Sequence, residues 1–402
     1  MTQTSLTIEL ATGVLSLELQ PGIIPIKRLL GFAARVSSKR KFLLVSKVLG
    51  KHYPVTPRMM SWSYRGLARA VLKIGVKPNS VWIGMAETAT GLGYGVYEAA
   101  HFEGLQQALF LQTTRYHLEN IARLEFQEAH SHATDFFLYY PQEEIAKKQF
   151  LVAQDLVLID DEISTGKTFL RLIKAYQAIN PNLEQVFIVS LVNFAHSDDR
   201  TALETQVNIP VHWLSFRQGT LSFQDKYNIE IDNITVNVSG NGACKQHLLA
   251  WPGRLGITRP VQLDQDISAQ FEQYFFTHFG AMDISRPILV LGSGECNAPA
   301  YLLGRALEQQ GYKINVQSTT RSPIHPGNEI KWIAEFIDNY EDDIPNFLYN
   351  LEPNQYQQII VCHETPLNAA LLERLIAWNA ISARIEFQPT PSHYAKLHFS
   401  RS

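Results

Sequence analysis

The first twenty residues alternate, with apolar Leu6, Ile8 and Leu10 and then Leu15, Leu17 and Leu19 separated by polar neighbours, and Gly13 between the two runs. A period of two broken by a glycine predicts one or two antiparallel strands. From Val81 onward the pattern changes to short, mainly apolar runs: VWIGMA, ALFLQTT, LVLIDD and QVFIVSLVNF. Helical periodicity lies between them, most clearly in KTFLRLIKAYQAI. Buried strands alternating with helices predict an α/β fold, a mostly parallel sheet flanked by helices. Such sheets bind ligands beyond the carboxyl ends of their strands, so the polar residues that end these runs are the first candidates. Residues 251–270 are rich in Gly, Pro and polar residues and read as a linker. A second α/β pattern follows: PILVLGSGE, a helix over 298–309, KINVQSTTR, QIIVCHE and a helix over 368–380.

Composition narrows the class. Hydrophobic residues make up 46% and charged residues 18% of the 402 positions, as in a globular protein with a full core. Lys and Arg number 35 against 38 Asp and Glu, a formal charge of −3. No overall attraction to nucleic acid or to an anionic membrane is expected from that balance. No apolar run approaches the ~20 residues that cross a bilayer, and the start, MTQTSLTIELATGVL, has no basic stretch leading into an apolar one. Cys244, Cys296 and Cys362 are few and widely spaced, without disulfide or zinc spacing. The expectation is a cytoplasmic protein with no nucleic-acid and no membrane partner.

The chemistry concentrates in residues 157–168, VLIDDEISTGKT. A buried strand brings Asp160 and Asp161 to its carboxyl end, and Ser164, Thr165 and Gly166 then open a helix through Lys167 and Thr168. Small residues at a helix N-terminus make a phosphate site. Two carboxylates would repel that phosphate, so they suit another part of the ligand, such as the hydroxyls of a ribose. Gly166-Lys167-Thr168 also matches the end of a P-loop, but Asp161 stands where that motif needs its first glycine. A solvated acidic turn before a capped helix is the purely structural alternative.

The string resembles the signature with which type I phosphoribosyltransferases bind 5-phosphoribosyl-1-pyrophosphate (PRPP). The resemblance implies that Asp160 and Asp161 contact the ribose hydroxyls, while Ser164, Thr165, Gly166, Lys167 and Thr168 hold the 5-phosphate. Glu162 stands where the family more often has an apolar or small residue. The loop of Glu87, Thr88, Ala89, Thr90 and Gly91, between VWIGMA and a helix, falls where the family has its pyrophosphate loop. Arg115, after ALFLQTT, would stabilise the leaving group and joins Asp160 and Asp161 as a catalytic candidate. RLEFQEAHSHATDFFLYYP falls where the family has a mobile flap, which makes Arg123, His130 and His132 flap candidates. His130 and His132 could instead bind a metal, although no third ligand is near in sequence. Lys47, Lys51 and His52 around Gly50 read either as a hood over the acceptor or as a basic turn.

Further segments point to a narrower group. LGKHYP, EAHSHAT, DDEISTGKT and Thr320-Arg321-Ser322-Pro323 resemble the phosphoribosyltransferases with a C-terminal TRSP domain found in bacterial tellurium-resistance and stress-response operons. On that resemblance residues 1–250 form a phosphoribosyltransferase domain with an N-terminal hood region, 251–270 a linker and 271–402 the TRSP domain. The second domain repeats features of the first. Gly84-Met85-Ala86-Glu87 corresponds to Gly292-Ser293-Gly294-Glu295, and Thr113-Thr114-Arg115 to Thr319-Thr320-Arg321. Leu158-Ile159-Asp160-Asp161 falls at Val361-Cys362-His363-Glu364. A degenerate second unit is predicted, without the Thr-Gly cradle and with Glu295, Arg321 and Ser322 as its candidate site residues.

The resemblance implies Mg²⁺-dependent transfer of 5-phosphoribosyl from PRPP to an unidentified base-like acceptor, with release of pyrophosphate, toward a nucleoside-like metabolite. The Mg²⁺ would be held mainly by PRPP and water, with no protein cage. The rival reading is a PRPP- or nucleotide-binding regulator without turnover. PRPP and a small-molecule acceptor are the partners implied, and a homodimer is an open expectation.

Overall fold

A computed structural model describes residues 4–35, 40–127, 135–225, 247–327, 329–340, 344–386 and 394–401. The N-terminal alternation forms a hairpin of β1 (Thr4–Leu10) and β2 (Gly13–Leu19), whose inward leucines at 15, 17 and 19 are buried. A short helix, α1 (Ile26–Leu29), leads into a second hairpin of β3 (Leu30–Ala34) and β4 (Phe42–Ser46). Helix α2 (Pro57–Ile74) starts where the Thr56 side chain accepts from the Met59 N–H and Pro57 presets the first turn. It ends at Gly75, whose φ of 101° suits a residue without Cβ.

The main α/β series follows: β5 (Ser80–Gly84), α3 (Thr90–Phe102), β6 (Leu109–Gln112), a hairpin of β7 (Arg123–Gln127) and β8 (Asp135–Tyr139), α4 (Glu144–Val152), β9 (Asp155–Ile163), α5 (Lys167–Ile179), β10 (Gln185–Asn193), α6 (Ser197–Val207) and β11 (Val211–Asp225). The sheet order is β1-β2-β11-β10-β9-β5-β6, parallel from β11 to β6, with the N-terminal hairpin added antiparallel along the second half of β11. The chain has the predicted α/β fold, with a mostly parallel sheet flanked by helices and a second α/β region after it.

That second region comprises β12 (Gln262–Leu263), α7 (Ile267–Phe279), β13 (Ile288–Gly292), α8 (Asn297–Gln309), β14 (Ile314–Ser318), a hairpin of β15 (Ile333–Ile337) and β16 (Pro345–Tyr349), β17 (Gln358–His363), α9 (Ala369–Ala377), β18 (Ile381–Glu386) and β19 (Tyr394–Arg401). Its sheet order is β12-β19-β18-β17-β13-β14. Four strands run parallel in the order β18-β17-β13-β14, as do β10-β9-β5-β6 in the first sheet. In both, a hairpin interrupts the chain between the edge strand and its return to the centre.

The two regions share one apolar core that includes Leu15 of the first and Phe399 of the second. They also exchange short pairings. Ile257 bridges Phe110 on β6, and Val55 bridges Val316 on β14, both antiparallel. Each edge strand therefore pairs with a segment that precedes the other sheet's parallel strands. Residues 251–257 are not a solvated connection: Trp251 and Arg254 are fully buried.

Candidate functional site

The carboxyl ends of β9, β5 and β6 lie side by side. The Met85 N–H donates to the Ile159 carbonyl at 2.9 Å, and the Thr113 N–H to the Gly84 carbonyl at 3.0 Å. The acidic pair, the turn of residues 85–91 and the Thr113-Thr114-Arg115 strand end therefore emerge together, as in-register parallel strands require.

Asp160 and Asp161 are half-buried at the end of β9, and the Asp161 N–H donates to Asp160 Oδ1 at 2.9 Å. Burial and then the neighbouring Asp161 push the Asp160 carboxyl well above the usual carboxylate range. Burial and the adjacent Glu162 raise Asp161 to about 6. Glu162 itself binds Arg40 from the segment before β4, and the Arg40 guanidinium lies 4.4 Å from the Phe42 ring centroid. Beyond the acids, Ser164 and Lys167 are exposed, Thr165 and Thr168 are half-buried, and Gly166 is buried in the left-handed region at φ 76°. The Lys167 N–H donates to Thr165 Oγ1 at 3.4 Å, and no side chain caps α5.

In the adjoining turn, Glu87 is buried while Ala86 and Thr88 are half-buried. Lys51 Nζ donates to Glu87 Oε1 at 2.7 Å, and Arg321 Nε stands 3.2 Å from Oε2. Burial pushes the Glu87 carboxyl up, but Lys51, Arg321 and Arg115 outweigh it and hold it below its ordinary value. Thr113 Oγ1 accepts from the Ala86 N–H at 2.8 Å. A Cβ on Gly91 would meet Asn297 Cβ at 3.0 Å, so this glycine lets the start of α3 approach the start of α8. Asn297 Nδ2 donates to the Glu87 carbonyl at 3.2 Å and to Thr90 Oγ1 at 2.8 Å. Arg115 lies 4.4 Å from the Phe136 ring centroid. Arg123 on β7 pairs with Glu125 at 2.6 Å. His130 and His132 lie outside the described residues.

The facing turn of the second region has the same internal bonds. The Ser293 N–H donates to the Cys362 carbonyl at 2.9 Å, the Thr319 N–H to the Gly292 carbonyl at 3.0 Å, and the Gly294 N–H to Thr319 Oγ1 at 2.9 Å. Glu295 accepts from Thr114 Oγ1 at 2.7 Å and from the Arg115 N–H at 3.1 Å. Arg254 donates to Glu295 and to Glu364 at 2.7–3.0 Å from a fully buried position. Burial disfavours its charge, yet Glu364 and Glu295 prevail and keep it protonated. The Tyr340 ring covers Gly294, where a Cβ would meet it at 2.3 Å, and its hydroxyl donates to Glu364 Oε1 at 3.1 Å. Ser322 sits in a turn: its N–H donates to Thr320 Oγ1 at 3.2 Å, and its carbonyl accepts from the Tyr349 hydroxyl at 2.7 Å.

The predicted residues 87–91, 115, 160, 161, 164–168, 295 and 321 thus converge on facing strand ends, while Ser322 has a local turn role. No sequence motif marks Arg254 or Tyr340, and Glu364 is marked only as the counterpart of Asp161. Arg254 stands in a Gly- and Pro-rich stretch that looks solvated, and only its long-range carboxylates reveal it.

Residues 29–220 match the sequence model of a family described as phosphoribosyl transferase. The first region has a phosphoribosyltransferase-like fold. Residues 251–378 match a second family, the TRSP domain that stands C-terminal to this phosphoribosyl transferase domain. No curated protein matches the chain. Among solved structures, the chain is similar to the adenine phosphoribosyltransferase of Rhodothermus marinus, with 16% identity over 47% of this chain and 95% of that one, at a TM-score of 0.31. The enzyme of Thermoanaerobacter pseudethanolicus gives 17% identity, 48% and 98% coverage and a TM-score of 0.33. That of Trypanosoma brucei, in complex with AMP, pyrophosphate and ribose-5-phosphate, gives 13% identity, 47% and 77% coverage and a TM-score of 0.34. Among the described residues no helix is long and apolar enough to cross a membrane.

Proposed function

We propose that the first unit transfers 5-phosphoribosyl from PRPP to a base-like acceptor and releases pyrophosphate. The observation that carries this reading is the end of β9, where two half-buried carboxylates precede a left-handed glycine and the open N-terminus of α5. The α5 N–H groups suit the 5-phosphate, with Ser164, Thr165, Gly166, Lys167 and Thr168 around it. Asp160 and Asp161 take the ribose hydroxyls. In the reaction the bond from C1 to the pyrophosphate oxygen breaks, a bond from the acceptor nitrogen to C1 forms, and pyrophosphate leaves with the electron pair. The protein's part is to align the two ligands and stabilise the charge that develops. Residues 87–91 and Arg115 face the leaving pyrophosphate.

The residues fit magnesium shared with ligand oxygens. Two adjacent carboxylates are hard donors, and this ion keeps waters and phosphate oxygens in its shell. The ion would be held mainly by PRPP and water, with Asp160 and Asp161 supplying the protein oxygens nearest the ribose. The ion would supply charge neutralisation at the phosphates.

Residues 271–402 we read as a degenerate second unit. The common strand order and the matching turn bonds support that reading. A nucleoside-like product in a tellurium-resistance or stress setting is the finer proposal, and it rests on the TRSP resemblance.

Calorimetry with Mg²⁺ and PRPP tests the function. Wild-type binding that Asp160→Asn/Asp161→Asn abolishes is the expected result. A folded wild type that binds no PRPP would refute it. Binding without pyrophosphate release across a panel of acceptors would leave a PRPP-binding regulator.

A further inference from the structure

We infer that Arg321 of the second unit is a positioning residue for the first unit's turn of residues 85–91, so that one site is built from both halves of the chain. The inference rests on the phosphoribosyltransferase reading above. Glu87 is the only acidic residue of that turn, and an ungoverned carboxylate there would repel a leaving pyrophosphate. Its two oxygens face two cations, Lys51 from its own unit at 2.7 Å and Arg321 from the other at 3.2 Å. Arg321 is aimed by its surroundings. Nη2 donates to the Tyr116 hydroxyl at 2.6 Å, and the guanidinium lies 5.1 Å from the Tyr116 ring centroid. Tyr116 in turn stacks on Tyr340 at 4.3 Å between centroids and 12° between planes. Asp338 is a further acid near the guanidinium, 3.8 Å from Nη2.

The arrangement is reciprocal. Glu295 occupies in its turn the place of Glu87, and it is held by Thr114 and the Arg115 N–H from across the seam. Glu87 is held by Arg321, the residue that ends the matching Thr-Thr-Arg of the other unit. Arg254 contacts Glu295 much as Lys51 contacts Glu87. Each turn is thus completed by the opposite strand end, but the two differ in access. The Tyr340 ring and the Arg254 pairs seal the second turn, whereas the first leaves Ala86 and Thr88 half-buried.

An ordinary inter-domain ion pair would also join Arg321 to Glu87, and ligand selectivity separates the two roles. A positioning role affects the pyrophosphate end of the site and spares the 5-phosphate end. The experiment titrates the full chain with Mg²⁺-pyrophosphate and, separately, with ribose 5-phosphate. Arg321→Met is expected to weaken pyrophosphate about tenfold, the loss of one largely buried charged contact. Ribose 5-phosphate affinity should stay within about twofold, and Arg321→Lys should recover part of the loss. Unchanged pyrophosphate binding, or equal loss of both ligands, would overturn the inference. Should Arg321→Met fail to fold, Tyr116→Phe removes the bond that aims the guanidinium and keeps its charge. A selective loss of pyrophosphate affinity is expected there too, and none would overturn the inference. A wild type that binds neither probe would remove the phosphoribosyltransferase reading itself.

Discussion

Arg254 and Glu295 form a fully buried ion pair, Nη2 to Oε2 at 2.8 Å, with Glu364 on the same guanidinium at 2.7 Å. One cation serves two carboxylates in a region with no access to water, so its removal would leave two buried acids facing each other. Breaking such a group by deleting one member costs about 3–5 kcal/mol. Arg254→Met should therefore lower unfolding stability by about that amount, measured by urea denaturation. A loss below about 1 kcal/mol would mean that the carboxylates find other partners or take up protons freely.

The acidic pair gives a pH prediction. An acid whose folded pKa is raised keeps its proton in the folded state at pH values where the unfolded chain has lost it. Stability then falls as pH rises from about 4, the unfolded aspartate value, through about 6, the Asp161 value. Asp161→Asn removes that penalty and should stabilise the protein at pH 7.5 by on the order of 2 kcal/mol, with the gain vanishing near pH 4. Thermal melts across pH 4–8 measure this. Mg²⁺ and ribose hydroxyls favour the ionised pair, so ligand affinity should rise through the same window.

Much of this was legible because it is local. The strand LVLIDD and the helix KTFLRLIKAYQAI carry their periods in sequence, and the helix runs Lys167–Ile179 as read. The repeated Gly-x-x-Glu and Thr-Thr-Arg elements could be matched by spacing alone. What spacing cannot give is which of two matched residues binds across the seam. Glu87 meets Lys51 and Arg321, at sequence separations of 36 and 234, and no periodic pattern encodes such distances. Arg254 was hidden for the same reason. Helix α2 stands outside the alternating strand and helix pattern that begins at Val81, although Thr56, Pro57 and Gly75 mark its ends.

Gly95 is a sharper test of the packing between α2 and α3. A Cβ at this position would lie 2.0 Å from Tyr64 Cδ2, and the Tyr64 ring is fully buried against Tyr301 at 5.0 Å. The ring has no free direction, so overpacking should cost about 1–3 kcal/mol or more for Gly95→Ala. The substitution would otherwise favour a helix by about 1 kcal/mol. A stabilised variant in thermal denaturation would show that α2 and α3 can separate without loss.

Site count follows from the proposed duplication. The first unit carries Asp160-Asp161 near the end of β9, which runs to Ile163, and opens α5 at Gly166, which offers no side-chain cap. The second ends β17 in His363, with Glu364 next in the chain, and neither is available to a ribose. Burial drives the His363 pKa down to about 4, leaving it neutral, and its ring nitrogens meet the Thr365 carbonyl at 2.8 Å and Ser382 Oγ at 2.6 Å. Glu364 is taken by Arg254 and Tyr340. Asn368 caps α9 by accepting from the Leu371 N–H at 2.8 Å, which fills the position a phosphate would need. Native mass spectrometry with Mg²⁺ and PRPP should therefore show one ligand per chain at saturation. Two ligands per chain would mean that the second unit opens in solution and retains a phosphoribosyl site of its own.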